Sequence, residues 1–247
     1  MLGSEKLMNY SVIAGDNALR RFAYEEAVTQ FERALSVKND IDDDETAAIV
    51  SDLSRALLLM GQTREAAVQI KRVFAYYVQA EDVISAAAIV ERPHDVGLLP
   101  LLTGELVKTI DLLPKGSLQS ARLLCSYGLA IGLKSSSYDE GLKALNSSLE
   151  IARREGDLAL ERRILAASAN VDGFQGRWQQ SLEKSLRSLE LASEAPTDPI
   201  DVLRANLWAG KACSRWAKPG ALKNTRTICW KLPSLCTIVF GQIMQGF

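Results

Sequence analysis

Ser137–Asp157 reads SYDEGLKALNSSLEIARREGD, and its punctuation decides the fold. Ser137 followed three residues later by Glu140 makes a capping box, which predicts a helix N-terminus at this point. Tyr138, Leu142, Leu145, Leu149 and Ile151–Ala152 recur at helical spacing. Arg153 and Arg154 suit the negative end of the helix dipole, Gly156 stands where a left-handed stop belongs, and Asp157 is placed to cap a following helix. The stretch predicts one amphipathic helix, sharply ended, with a second helix immediately after it.

The same helix returns elsewhere in the chain. FAYEEAVTQFERAL (22–35), GQTREAAVQIKRVF (61–74), SSYDEGLKALNSSL (136–149) and GRWQQSLEKSLRSL (176–189) align. A small residue comes first: Ala27, Ala66, Gly141, Ser181. A contact residue follows one turn later: Phe31, Ile70, Leu145, Ser185. A third position holds Ala34, Val73, Ser148 and Ser188. Tyr24, Tyr138 and Trp178 stand three residues ahead of the small residue. The interval is 39 residues from Ala27 to Ala66 and 40 from Gly141 to Ser181; the 75 between Ala66 and Gly141 leave room for one degenerate copy. A fixed period in this range signals stacked helix pairs, because a single pair cannot cover its own apolar face. The small residue lets a partner helix approach, and the larger one fills the space beside it.

These positions resemble the tetratricopeptide repeat. In the first copy its pattern falls on Gly15, Ala18, Tyr24, Ala27, Phe31 and Ala34. Ser11, Val50, Cys125 and Leu165 replace the family's first-helix tryptophan, Asn39 stands in place of the closing proline, and the period exceeds the usual one. The copies look most like the repeat regions of large bacterial signalling proteins, the LuxR-type regulators and class III cyclases. The resemblance covers residues 8–217. It implies an all-α, right-handed superhelical solenoid of antiparallel helix pairs, with about five repeats plus one incomplete, that binds a protein or peptide partner in a concave groove lined by the first helix of each pair. Carried over residue by residue, the groove positions fall on Asn9, Asp16, Arg20, Ser51, Arg55, Ser126, Lys134, Arg163 and Asn170. The family's clamp for chaperone C-termini is interrupted by Asp16, Leu58 and Ala130, which disfavours that ligand. The Gly173–Phe174 pair leaves a small-molecule ligand as a further option.

The composition suits this reading. Apolar residues make up 47% and aromatic residues 6% of the 247, and no alternating strand pattern precedes residue 225. Net charge is −1 but unevenly spread. Residues 1–201 carry every Asp and Glu, 30 against 22 Lys and Arg; after Asp201 come seven basic residues and no acid. An acidic body argues against direct nucleic-acid binding by the repeats. Cys125, Cys213, Cys229 and Cys236 have no CxxC spacing, and Cys125 falls at a packing position, so unpaired thiols in a reducing cytoplasm are expected. The opening MLGSEKLMNY lacks the apolar core of a signal peptide, and no run is long enough to span a membrane.

The expected helices are 6–21, 24–38, 44–60, 63–79, 82–91, 96–113, 118–134, 137–155, 158–174, 178–193 and 199–216. Asp42 with Glu45 reads as a capping box, Thr63 and Ser117 as caps, and Pro100 as a first-turn proline. Asp40, Asp42 and Asp44 do not make a calcium loop, since Thr46 stands where its glycine is required. The third pair, broken by Pro93 and His94, is the irregular one. Residues 1–217 form the repeat domain. In the tail, 218–247, Lys218-Pro219-Gly220 interrupts the pattern, and LCTIVFGQIM (235–244) is apolar. Three readings stand for the tail: packing back on the last repeat, sequence foreign to the family through a frameshift or premature end, or a basic contact for membrane or nucleic acid.

No phosphate loop, dinucleotide motif, zinc-protease motif or nucleophile elbow is present, and His94 is the single histidine. The expectation is a chain with no catalytic, cofactor or metal site: a cytoplasmic interaction scaffold, the sensor or coupling region of a bacterial signalling or transcription regulator. The alternative is a fragment of a multidomain adenylate cyclase or ATPase regulator whose catalytic or DNA-binding domain lies outside this chain.

Overall fold

The computed structural model describes residues 2–38, 40–91, 97–192 and 199–216. Among them the chain is all-α: antiparallel helix pairs at the expected period, with no strand. It divides into two compact units, 1–115 and 116–247. The tail 218–247, Asn39, Pro93, His94, Cys229 and Cys236 lie outside the described residues, so expectations for them stay as stated.

The first unit holds α1 (Leu2–Arg20), α2 (Tyr24–Leu35), α3 (Asp44–Leu59), α4 (Thr63–Gln79), α5 (Val83–Glu91) and α6 (Thr103–Leu112). Its core runs from Met8 and Ala18 of α1 through Ala27, Phe31 and Ala34 of α2 to Ile49, Leu53 and Leu57 of α3. At Gly15 an added Cβ would lie 2.6 Å from the Phe31 ring, so the glycine is what seats that ring between the helices. Val50 and Val73 continue the seam between α3 and α4.

The second unit holds α7 (Leu118–Gly132), α8 (Tyr138–Glu155), α9 (Leu158–Phe174), α10 (Trp178–Leu191) and α11 (Pro199–Trp216). The α7–α8 crossing brings backbone against backbone. A Cβ on Gly141 would meet the Cα of Gly132 at 2.5 Å and the carbonyl oxygen of Gly128 at 2.8 Å; a Cβ on Gly128 would meet Leu145 at 2.8 Å. Leu145 therefore sits on Gly128 as Phe31 sits on Gly15, one repeat contact seen in both units.

All twelve of the aligned seam residues are buried. The corners repeat too. In five of them a left-handed residue ends the helix: Phe22 (φ 61°), Gly61 (76°), Glu81 (57°), Gly156 (69°) and Gly176 (72°). The next amide then donates back five residues, from Ala23 to Ala18, Gln62 to Leu57, Asp82 to Tyr77, Asp157 to Ala152 and Arg177 to Asp172, at 2.9–3.0 Å. This is the Schellman closure.

Several expected helix ends are corrected. Ser137 does not cap α8: it ends a 3₁₀ turn, Ser135–Ser137, at φ −122°, ψ 15°, away from the extended conformation that aims a capping hydroxyl. Its supposed partner Glu140 instead accepts the Tyr127 hydroxyl at 2.8 Å. Asp43, not Asp42, caps α3, accepting from the Thr46 amide at 2.7 Å, while Lys38 bonds Asp42 at 3.1 Å and also bonds Asp43. The cap position of α4 is Gln62, which makes no side-chain cap bond; Thr63 is the first helical residue. The expected helix 96–113 is split: Pro100 lies in a 3₁₀ turn, Leu99–Leu101, and the α-helix starts at Thr103. Ser117 and Asp157 do cap their helices, by accepting from the amides of Ser120 and Leu160.

Candidate partner-binding face

Helix periodicity fixes which residues of each first helix face outward. On α1, Asn9, Ile13, Asp16 and Arg20 are spaced three and four apart and share one stripe. Ile13 is 58% exposed, and Tyr10 on the flank is 72% exposed. Asn9 and Arg20 are exposed and Asp16 is half-buried, so three hydrogen-bonding side chains surround one uncovered aliphatic group. On α3, Ser51 turns its hydroxyl back to the Ala47 carbonyl at 2.9 Å, and Arg55 pairs with Asp52 at 3.3 Å. Both expected positions there are already engaged within their own helix.

In the second unit the expected residues part company. Lys134, just past α7, is exposed. Ser126 and Asn170 are buried, each 3% exposed, and are not open groove positions. The Ser126 hydroxyl lies 3.4 Å from Nη2 of Arg163, which donates to it across α7 and α9. Asn170 keeps an Oδ1 with no hydrogen-bond partner among the described residues. The reason for its burial lies a turn away. A Cβ on Gly173 would fall 2.1 Å from the Trp208 ring, so only a glycine lets α11 close over this part of α9. Phe174 then packs against Trp208 with ring centroids 5.1 Å apart and remains 58% exposed. Lys211 lies over the Trp208 ring at 4.5 Å.

The sequence reading missed a charged cluster joining α8, α9 and α10. Asp172, fully buried, accepts the Tyr138 hydroxyl at 2.7 Å and the Lys184 ammonium at 2.7 Å. Arg177 stacks on the Tyr138 ring at 4.3 Å. Burial first, then the bond to Asp172, push the Tyr138 hydroxyl up to about 12. A second buried acid, Glu161, accepts from Nε of Arg153 at 2.8 Å. The available signal was two acids, Glu161 and Asp172, within the alanine-rich α9: a buried carboxylate requires a partner. Each of these two acids is held by a basic residue of a neighbouring helix, which makes them framework rather than reactive groups.

Among the described residues no helix is long and apolar enough to cross a membrane. No family model matches the chain, and no curated protein matches it. Among solved structures it is similar to a thermophilic TPR protein of Thermus thermophilus, at 20% identity over 81% of this chain and 98% of that one, with a TM-score of 0.49.

Proposed function

We propose that this chain is a non-catalytic protein-interaction scaffold that receives a peptide or partner domain on the outward stripe of its first helices, centred in the first unit on α1. The observation that carries the reading is Ile13, uncovered at 58% among Asn9, Asp16 and Arg20. An exposed apolar centre with hydrogen-bonding groups around it is the arrangement of a binding hot spot and its rim. The internal polar groups support the same reading, because Asp172, Glu161, Tyr138 and Lys184 are consumed in bonds between helices. The biological setting we infer is the sensor or coupling region of a bacterial signalling or transcription regulator in the cytoplasm.

The test is to pan a displayed peptide library against the full chain and measure the enriched peptides by fluorescence anisotropy. Ile13→Glu and Arg20→Glu should each weaken binding about tenfold or more, as loss of a hot-spot contact does, with the helical circular dichroism unchanged. No enrichment, or enrichment indifferent to both substitutions, removes the reading. A phosphate-loop domain encoded upstream, or a helix-turn-helix downstream, would favour the fragment of a larger cyclase or ATPase regulator.

A further inference from the structure

The last described helix carries an apolar stripe that its counterpart buries. Aligning the first helical residues, Leu158 of α9 with Pro199 of α11, sets Arg162 against Leu203, Ala166 against Leu207 and Ala169 against Gly210. On α9 this is the face covered by α10: Ser188 donates to the Arg162 carbonyl at 3.1 Å and Ser181 to that of Ala169 at 2.8 Å. Arg162 and Ala166 are 2% and 0% exposed there. On α11 the equivalent Leu203 and Leu207 are 69% and 51% exposed. The opposite side of α11 is occupied, Ala209 and Ala212 packing on Leu182 of α10 and Trp208 on α9. Leu203, Leu207, Gly210 and Ser214 thus form one stripe with the geometry of a seat for a second helix, and no described residue covers it.

Charge selects the occupant. One edge of the stripe is lined by Arg204 and, two and three turns on, by Lys211 and Arg215. Lys211 and Arg215 lie over the Trp208 and Trp178 rings, at 4.5 and 5.7 Å, which fixes them along that edge. The residues of this chain that follow α11 add four cations, Lys218, Lys223, Arg226 and Lys231, and no acid, and their apolar run 235–244 carries no charge to answer that edge. A second copy of α11 would oppose the same three cations to themselves. Among the second helices already in the unit, α8 opens on the acids Asp139 and Glu140, while α10 is balanced, Glu183 and Glu190 against Lys184 and Arg187. We propose that this stripe of α11 is a docking site for an acidic amphipathic helix of a partner protein, which pairs with α11 as α10 pairs with α9.

The experiment uses the full chain with benzoylphenylalanine in place of Leu203 and a fluorescein-labelled amphipathic peptide of about 15 residues. The probe has Ala and Leu at i, i+3, i+4 and i+7 and Glu along one flank. Irradiation should join the peptide to the chain, and the same peptide with Lys for every Glu should not react. On the chain without the photoprobe, the double change Leu203→Glu/Leu207→Glu should weaken anisotropy-measured binding at least tenfold. Lys211→Glu/Arg215→Glu should weaken it and flatten its dependence on salt. The site is overturned by an adduct within the chain to residues 217–247, by a crosslinked dimer, by equal labelling with the Lys peptide, by no adduct at all, or by an affinity indifferent to the Leu203/Leu207 change.

Discussion

At the third seam position of the second helix, the first unit carries Ala34 and Val73 and the second unit carries Ser148 and Ser188. Both pairs are buried. The alanine and valine complete apolar seams. The serines reach across: Ser148 donates to the Ala121 carbonyl at 2.6 Å, Ser188 to that of Arg162 at 3.1 Å, and Ser181 to that of Ala169 at 2.8 Å. A helical carbonyl has a second lone pair to offer, so these bonds form without breaking the helix they touch. In the first unit the buried hydroxyls of Ser54 and Thr109 bond within their own helices, to the carbonyls of Ser51 and Glu105. The same repeat geometry is thus held by two chemistries. An apolar seam tolerates sliding, whereas a hydroxyl opposite one particular carbonyl sets the register of the pair.

The largest effect is expected at Gly141. Gly141→Val puts a side chain into the Gly132 and Gly128 backbone and should cost about 3 kcal/mol or more in urea unfolding. Ala66→Gly, at the same position of the first unit, should cost only about 1 kcal/mol. Next is Asp172→Asn, which removes the charge facing Lys184 and should cost about 2 kcal/mol. It should also bring the Tyr138 titration, read by phenolate absorbance, down from about 12. Because that value is raised above the ordinary 10.0, the contribution of Tyr138 is fully present below pH 10.0 and is lost as pH rises through about 12.

Ser188→Ala and Ser148→Ala should each cost about 1 kcal/mol, seen as faster amide exchange in the second unit alone. The reciprocal Ala34→Ser sharpens the contrast. If its hydroxyl finds no carbonyl across the seam, the first unit should lose about 1 kcal/mol. Phe22→Gly and Glu81→Gly relieve left-handed backbone at exposed corners and should raise stability by about 0.5–1 kcal/mol each, measured as a higher melting temperature. The smallest effect is at Asp43. Lys38 first, then the Thr46 side chain and amide, hold its carboxyl down to about 2 against the ordinary 3.8. Its contribution is present above pH 3.8 and is lost as pH falls through about 2. Asp43→Asn should keep the cap and remove that acid limb from the unfolding profile.

The period, the pairing and most helix bounds were legible because they depend on residue size and spacing. Gly141, Ala27 and Ala66 are recognisable as close-approach sites from their neighbours alone. Fine hydrogen bonding was not legible. Ser137 has the right residue three places ahead but the wrong backbone angles, and in a run of three aspartates it is the extended backbone of Asp43 (φ −147°, ψ 166°) that decides which one caps. The seam serines looked like ordinary polar substitutions, since nothing local tells which carbonyl of a distant helix lies opposite. Of the expected partner-binding residues, the α1 set stands together on an open stripe. Ser126 and Asn170 were misjudged because their burial depends on neighbouring helices, Arg163 reaching Ser126 from α9 and α11 closing beside Asn170 over Gly173.

The five Schellman corners carry a kinetic consequence. Each is closed by residues no more than five apart, and each joins helices that are neighbours in sequence. Loop closure at such short range adds little entropic barrier, so folding can begin at any corner and spread pair by pair. Phe22 and Glu81 make two of those corners slower to nucleate than the three built on glycine. The chain therefore has preferred starting points at Gly61, Gly156 and Gly176, one in the first unit and two in the second.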